Sequence, residues 1–163
     1  MMEKTAYTID DFLSNVESGY EGFVKEIHKS MVKDGYKVKI EQKANGFFAS
    51  YSHPKTKRSL LNFMFRKKRL MVRIYADNLY RYDSILKELP ENMINEIRTA
   101  HSCKRLIDPN DCSPTCKTGY DFYIGEEHYQ KCRYSCFEFV VDEKSTPILS
   151  KFIENERKMR SSG

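Results

Sequence analysis

An α+β fold follows from three features of the chain: an amphipathic segment with apolar residues spaced at three and four, several short runs that alternate polar and apolar, and a second helical pattern with a capped helix at its end. The expected architecture is an N-terminal helix packed on a four-stranded antiparallel meander. Further helices, a C-terminal β-hairpin and a final helix complete it. At 163 residues the chain has the size of one domain, read as residues 1–160 with a cysteine-rich loop and hairpin insertion at 101–141.

Thr8 with Asp10 and Asp11 signals a helix start, and Phe12, Val16, Tyr20, Phe23, Ile27 and Met31 continue one apolar face. Gly19 and Gly22 weaken its middle enough for a break into two helices, and Gly35 stops it. From Tyr36 the period changes to two, Val38 and Ile40 alternating with Lys37, Lys39 and Glu41. Asn45-Gly46 is a hairpin signal. It leads into strands at 47–52, 60–65 and 70–75, with a loop at 53–57 and a turn at Lys67-Lys68. Tyr80, Ile85 and Leu86 suggest a short helix, and Pro90 opens a clearer one through Met93, Ile94 and Ile97. Residues 120–124 and 129–141 read as two strands flanking Gly125 to His128. Ser145, Thr146 and Pro147 then cap a helix carrying Ile148, Leu149, Phe152 and Ile153.

This helix, meander, helix order over residues 8 to 100 resembles the YdhG-like group of small bacterial domains. The resemblance lies in pattern, implies a small α+β domain, and transfers no functional residue.

No run approaches the roughly 18 apolar residues of a membrane span. Met1-Met2-Glu3-Lys4-Thr5 leads into a polar, acidic segment rather than a signal peptide's apolar run. The expectation is a cytoplasmic protein. Ser161-Ser162-Gly163 reads as a frayed end.

Five cysteines, an odd number clustered between Cys103 and Cys136, fit an evenly paired disulfide framework poorly. Cys112 and Cys116, and Cys132 and Cys136, are two C-x3-C pairs. Four thiolates drawn from a turn and a nearby hairpin can surround zinc as a tetrahedron. If 129–141 is one continuous strand, Cys132 and Cys136 lie about 13 Å apart, so only one can bind. The candidate ligands of a structural zinc are therefore Cys103, Cys112, Cys116 and Cys132, with Cys136 spare and His101 or His128 as substitutes. Buried filler thiols and redox chemistry at Cys112 and Cys116 remain open alternatives.

Between Lys33 and Arg73 twelve Lys and Arg face two acids, a segment charge of +10, whereas the remainder of the chain carries −5. Such polarity attracts anions. The candidate anion-binding residues are Lys55, Lys57 and Arg58 on one loop and Arg66, Lys67, Lys68 and Arg69 on another, the two loops lying at opposite ends of one strand. Lys37, Lys39 and Lys43 with Tyr36, Phe47, Phe48 and Tyr51 add a basic, aromatic strand surface, which reads equally as core aromatics under a solvated face.

Catalytic signatures are missing: His28, His53, His101 and His128 have no paired nucleophile or acid, and seven glycines form no phosphate loop. The expected function is a binding domain, more in keeping with a non-enzyme, with a structural zinc and a basic face for an anionic partner, nucleic acid first or else an acidic protein. The alternatives are an effector-binding module with a pocket between helix and sheet, or a thiol-based redox protein.

Overall fold

The computed structural model describes residues 7–78, 83–110 and 118–161. The N-terminal amphipathic segment forms two helices, α1 (Ile9–Leu13) and α2 (Glu21–Lys33). Thr8 and Asp11 close a capping box at the start of α1. Its end is set by Ser14 Oγ and Asn15 Nδ2, which both donate to the Asp11 carbonyl and compete with the helical ladder. Gly35, at φ +84°, ends α2 as expected.

The meander consists of β1 (Lys37–Lys43), β2 (Gly46–Ser52), β3 (Ser59–Arg66) and β4 (Arg69–Ile74), all antiparallel neighbours. The first hairpin turns at Ala44-Asn45, one residue ahead of the expected Asn45-Gly46, because Lys43 pairs with Gly46. Next come α3 (Asp83–Glu88), α4 (Glu91–Thr99) with Pro90 as its N-cap, and a single-turn α5 (Lys104–Ile107) that the sequence did not announce. Tyr80 lies outside the described residues.

The expectation of one strand over 129–141 is corrected. The hairpin β5 (Tyr120–Ile124) and β6 (Glu127–Lys131) stops at Lys131, and residues 132–136 form a helical turn in which the Cys136 amide donates to the Cys132 carbonyl at 2.9 Å. The chain then enters β7 (Glu138–Val140), which leaves the hairpin and pairs with β4, making the main sheet five-stranded in the order β1-β2-β3-β4-β7. Helix α6 (Thr146–Ser161) follows.

Strand alternation divides the main sheet into two faces. One carries Ile40, Ala49, Phe63, Val72 and Phe139 in a single cross-strand row. These residues are buried with Phe12, Val24, Ile27 and Met31 of α1 and α2 and Leu149 and Phe152 of α6. Aromatic contacts join the layers: Phe12 lies 5.2 Å from Phe65, and Phe137 5.2 Å from Phe152, ring centre to ring centre. His28 is part of this layer, sharing a 2.8 Å hydrogen bond with the Tyr51 hydroxyl, and burial holds its pKa below the ordinary histidine value.

A buried ionic hub ties the layers at the exit of β4. Asp77 accepts from Arg58 at 3.2 Å, from Arg133 at 2.7 Å and from Arg160 at 3.0 Å. Arg160 also donates to Glu156, to the Arg58 carbonyl and to the Tyr75 carbonyl, and the fully buried Glu156 accepts from the backbone and side-chain amides of Asn78. Three guanidinium groups on one carboxylate hold the β2–β3 loop, the 132–136 turn and α6 at one point. Removing the carboxylate leaves the buried Arg133 uncompensated, while Arg160 keeps Glu156 and Arg58 reaches solvent, so Asp77→Ala is expected to cost about 3–5 kcal/mol of unfolding free energy. Chemical denaturation measures this, and a loss under about 1 kcal/mol would reduce the hub to a surface ion pair.

Candidate functional site

The second sheet face is where charge accumulates. One cross-strand row reads Lys39, Ser50, Asn62, Arg73, Glu138 through all five strands. Beside it lie Glu41, Phe48, Met64, Met71 and Val140, and at the turn end Lys43 and the Arg66–Arg69 pair. With Lys37 on β1 and Lys67-Lys68 in the β3–β4 turn, this surface holds eight cationic side chains and two carboxylates, Glu41 and Glu138. Both acids are already engaged: Lys39 is 3.9 Å from Glu41, and Arg66 and Arg73 are 2.7 and 3.5 Å from Glu138. Lys37, Lys43, Lys67, Lys68 and Arg69 make no ion pair with the described residues.

The β3–β4 turn is built at a conformational cost. Lys67 and Lys68 have φ values of +51° and +66°, the left-handed region that a two-residue hairpin turn demands and that Asn-Gly usually fills. Each lysine costs about 1 kcal/mol more there than glycine. Both lysines are exposed at the tip.

Of the residues singled out from sequence, the structure brings Arg66, Lys67, Lys68 and Arg69 together on this turn. Lys55 and Lys57 are exposed at the opposite end of β3, and Arg58 is held by Asp77 at the hub. Sequence spacing could not reveal that Arg58 is occupied, because its partner is 19 residues away. The aromatic strand residues divide: Tyr36 and Tyr51 are buried in the core, whereas Phe47 and Phe48 are half-buried. Lys43 Nζ sits 4.3 Å from the centre of the Phe48 ring.

Beside the basic face, α4 and the 132–136 turn border a cavity of about 410 Å³ lined by Arg66, Met71, Glu96, His101, Cys132 and Glu138, among others. Burial lifts the Glu96 carboxyl to a pKa of about 7, and the Asp142 and Glu138 carboxylates add to the rise. Sequence reasoning missed Glu96, since its position on a helix carries no local mark of that environment.

Cys103 and Cys132 lie on facing segments: the Cys103 amide donates to the Gln130 carbonyl at 3.0 Å and the Cys132 amide to the His101 carbonyl at 2.7 Å. The hairpin register pairs Tyr120 with Lys131, which brings Cys132 beside Gly119. The Gly119 amide donates to Cys103 Sγ at 3.2 Å, and a methyl group on Gly119 would collide with the Lys131 carbonyl. Cys112 and Cys116 lie outside the described residues. Cys103, Cys132 and Cys136 are free thiols, and among the described residues no three His, Cys, Asp or Glu side chains form a metal-binding group. Cys132 and Cys136 are not spread about 13 Å along one strand; the two sit one helical turn apart, Cys136 in the core with its thiol pKa raised by burial. His128 hydrogen-bonds Asp121 at 2.5 Å on the exposed hairpin.

Between α2 and α6 lies a cavity of about 270 Å³ lined by Ile27, Met31, Ile153, Glu26, Glu154 and Arg157, among others. It is a helix–helix site without the tyrosines and phenylalanines expected of an effector pocket. Among the described residues no helix is long and apolar enough to cross a membrane. No family model, curated protein or solved structure matches the chain.

The Glu96 environment has a measurable consequence. The folded protein keeps this proton up to about pH 7, while the unfolded chain releases it near 4.5. Stability contributed by this group is therefore lost as pH rises between those values. Glu96→Gln is expected to flatten the pH dependence of the melting temperature over that window, and an unchanged profile would rule the assignment out.

Proposed function

We propose that this domain binds nucleic acid through the second face of its main sheet. The observation that carries the reading is the charge balance of the strands and turn of that face: eight cations against two carboxylates, both already ion-paired, with the raised-pKa Glu96 of α4 at its border beside Arg69. Five cations are left for phosphates. They lie on strands and a tight turn of a hydrogen-bonded sheet, which fixes their spacing before a partner arrives.

Binding driven by phosphate contacts weakens linearly in log–log form as salt rises, by about 0.7 to 0.9 per contact. A labelled oligonucleotide titrated at several salt concentrations should give a slope of about −3 or steeper, for four or five contacts. Lys67→Glu with Lys68→Glu should then lower affinity at least ten-fold, whereas Lys55→Glu with Lys57→Glu, at the far end of β3, should change it less than two-fold. Salt-insensitive binding, or equal effects of the two pairs, would reject this face as the interface.

A structural zinc held by Cys103, Cys112, Cys116 and Cys132 is a second reading. Two observations favour it: Cys103 and Cys132 lie on hydrogen-bonded facing segments, and Cys103 Sγ accepts a backbone N–H, a bond that suits a thiolate ligand. Such a site has no open position for substrate and would join the segment after α5 to the hairpin. Elemental analysis of the purified chain should find one zinc, lost in Cys103→Ser, and chelation should lower the melting temperature. Absence of zinc with all thiols titratable in the native state would end this reading.

A further inference from the structure

The recess at the β1–β2 turn end of the basic face has a shape that selects among nucleic acids. We infer that the strand taken here is single, with one unpaired base seated in this recess and stacked on Phe48; this rests on the nucleic-acid reading above.

The recess is a cavity of about 360 Å³ whose lining includes Lys43, Asn45, Phe48, Met64, Arg66 and Arg73. Phe48 lies half-buried between rows that carry Lys43 and Lys39, with the Lys43 ammonium over its ring, so the ring is recessed beneath at least that cation. A flat aromatic base can reach a ring at that depth only when it is free of its own partner and neighbours, as in single-strand recognition by aromatic platforms. One face of the ring already meets a cation, Lys43 Nζ at 4.3 Å from its centre. A base displaces that ammonium from the ring, and the lysine remains on the same edge for the adjoining phosphate. Duplex reading works by a different geometry, an element inserted into a groove. The two longest described helices, α2 and α6, pack on the opposite face, and the strands here are joined side by side in a sheet.

The test uses the full chain with a single-stranded oligonucleotide and the corresponding duplex. The expected result is tighter binding of the single strand. Phe48→Ala should reduce that affinity about ten-fold, within the range for one stacked base, without changing the salt slope, and Lys43→Ala should make the slope shallower by about 0.7. The chain has no tryptophan, so Phe48→Trp supplies a lone fluorophore whose emission should be quenched by the single strand. That readout decides the matter if Phe48→Ala proves unfolded by circular dichroism. Equal affinity for both forms, with Phe48→Ala unchanged or Phe48→Trp unquenched, overturns the stacked base and leaves a polyanion-binding face standing. Absence of salt-sensitive binding to either form removes both readings.

Discussion

The convergence of Arg58, Arg133 and Arg160 on Asp77 is the constraint on which the rest of the arrangement depends. These residues come from the β2–β3 loop, the turn after β6 and the last helix, three segments with no local reason to meet. Buried charges are costly unless their polar groups find partners, and Glu156 and Asn78 supply further bonds. The Arg133 guanidinium also lies over the Tyr75 and Tyr120 rings, at 5.2 and 5.8 Å. Holding the 132–136 turn here lets the following residues reach β4 as a fifth strand. That turn and α4 then border one side of the second face, while at its other margin Lys37, Lys39 and Lys43 of β1 stand exposed.

Burial on the helix-covered face and charge on the other are linked through the pleat. Because side chains alternate strictly, a register that places Ile40, Ala49, Phe63, Val72 and Phe139 in the core must place Lys39, Ser50, Asn62, Arg73 and Glu138 opposite. The hydrophobic core thereby determines where the cations stand relative to one another. Slipping β1 by one residue would turn its lysines toward the core, and slipping β3 or β7 would turn Phe63 or Phe139 out of it, so the geometry of the basic face is protected by the same free energy that holds the fold.

Much of the fold was legible because strands such as β1 and β4 alternate wetter and buried positions. Tyr36 to Glu41 could be read by period alone, and the α6 apolar stripe likewise. The failures share a cause. Residues 132–141 are rich in aromatic and β-branched side chains, which read as strand, yet their path is set by Arg133 reaching Asp77 and by β7 pairing with a strand more than 60 residues earlier. Neither partner is visible within a local window. The same limit applies to the candidate site: the Arg66 to Arg69 charge run is plain in the sequence, but that Arg58 is consumed by an ion pair, that Glu96 sits near two other carboxylates, and that Phe48 lies recessed among cations all depend on long-range register.

The alternation of lysine along β1 has a bearing on self-association. This strand forms an outer border of the sheet, and its unpaired backbone groups would otherwise offer a template to the equivalent strand of another molecule. Lys37, Lys39 and Lys43 set like charge against like charge in any such approach, a barrier that natural sheets commonly raise at their margins. Under the proposed nucleic-acid reading, Lys37 and Lys43 would both hold molecules apart and meet phosphates, so a change at either lysine would shift self-association and affinity together.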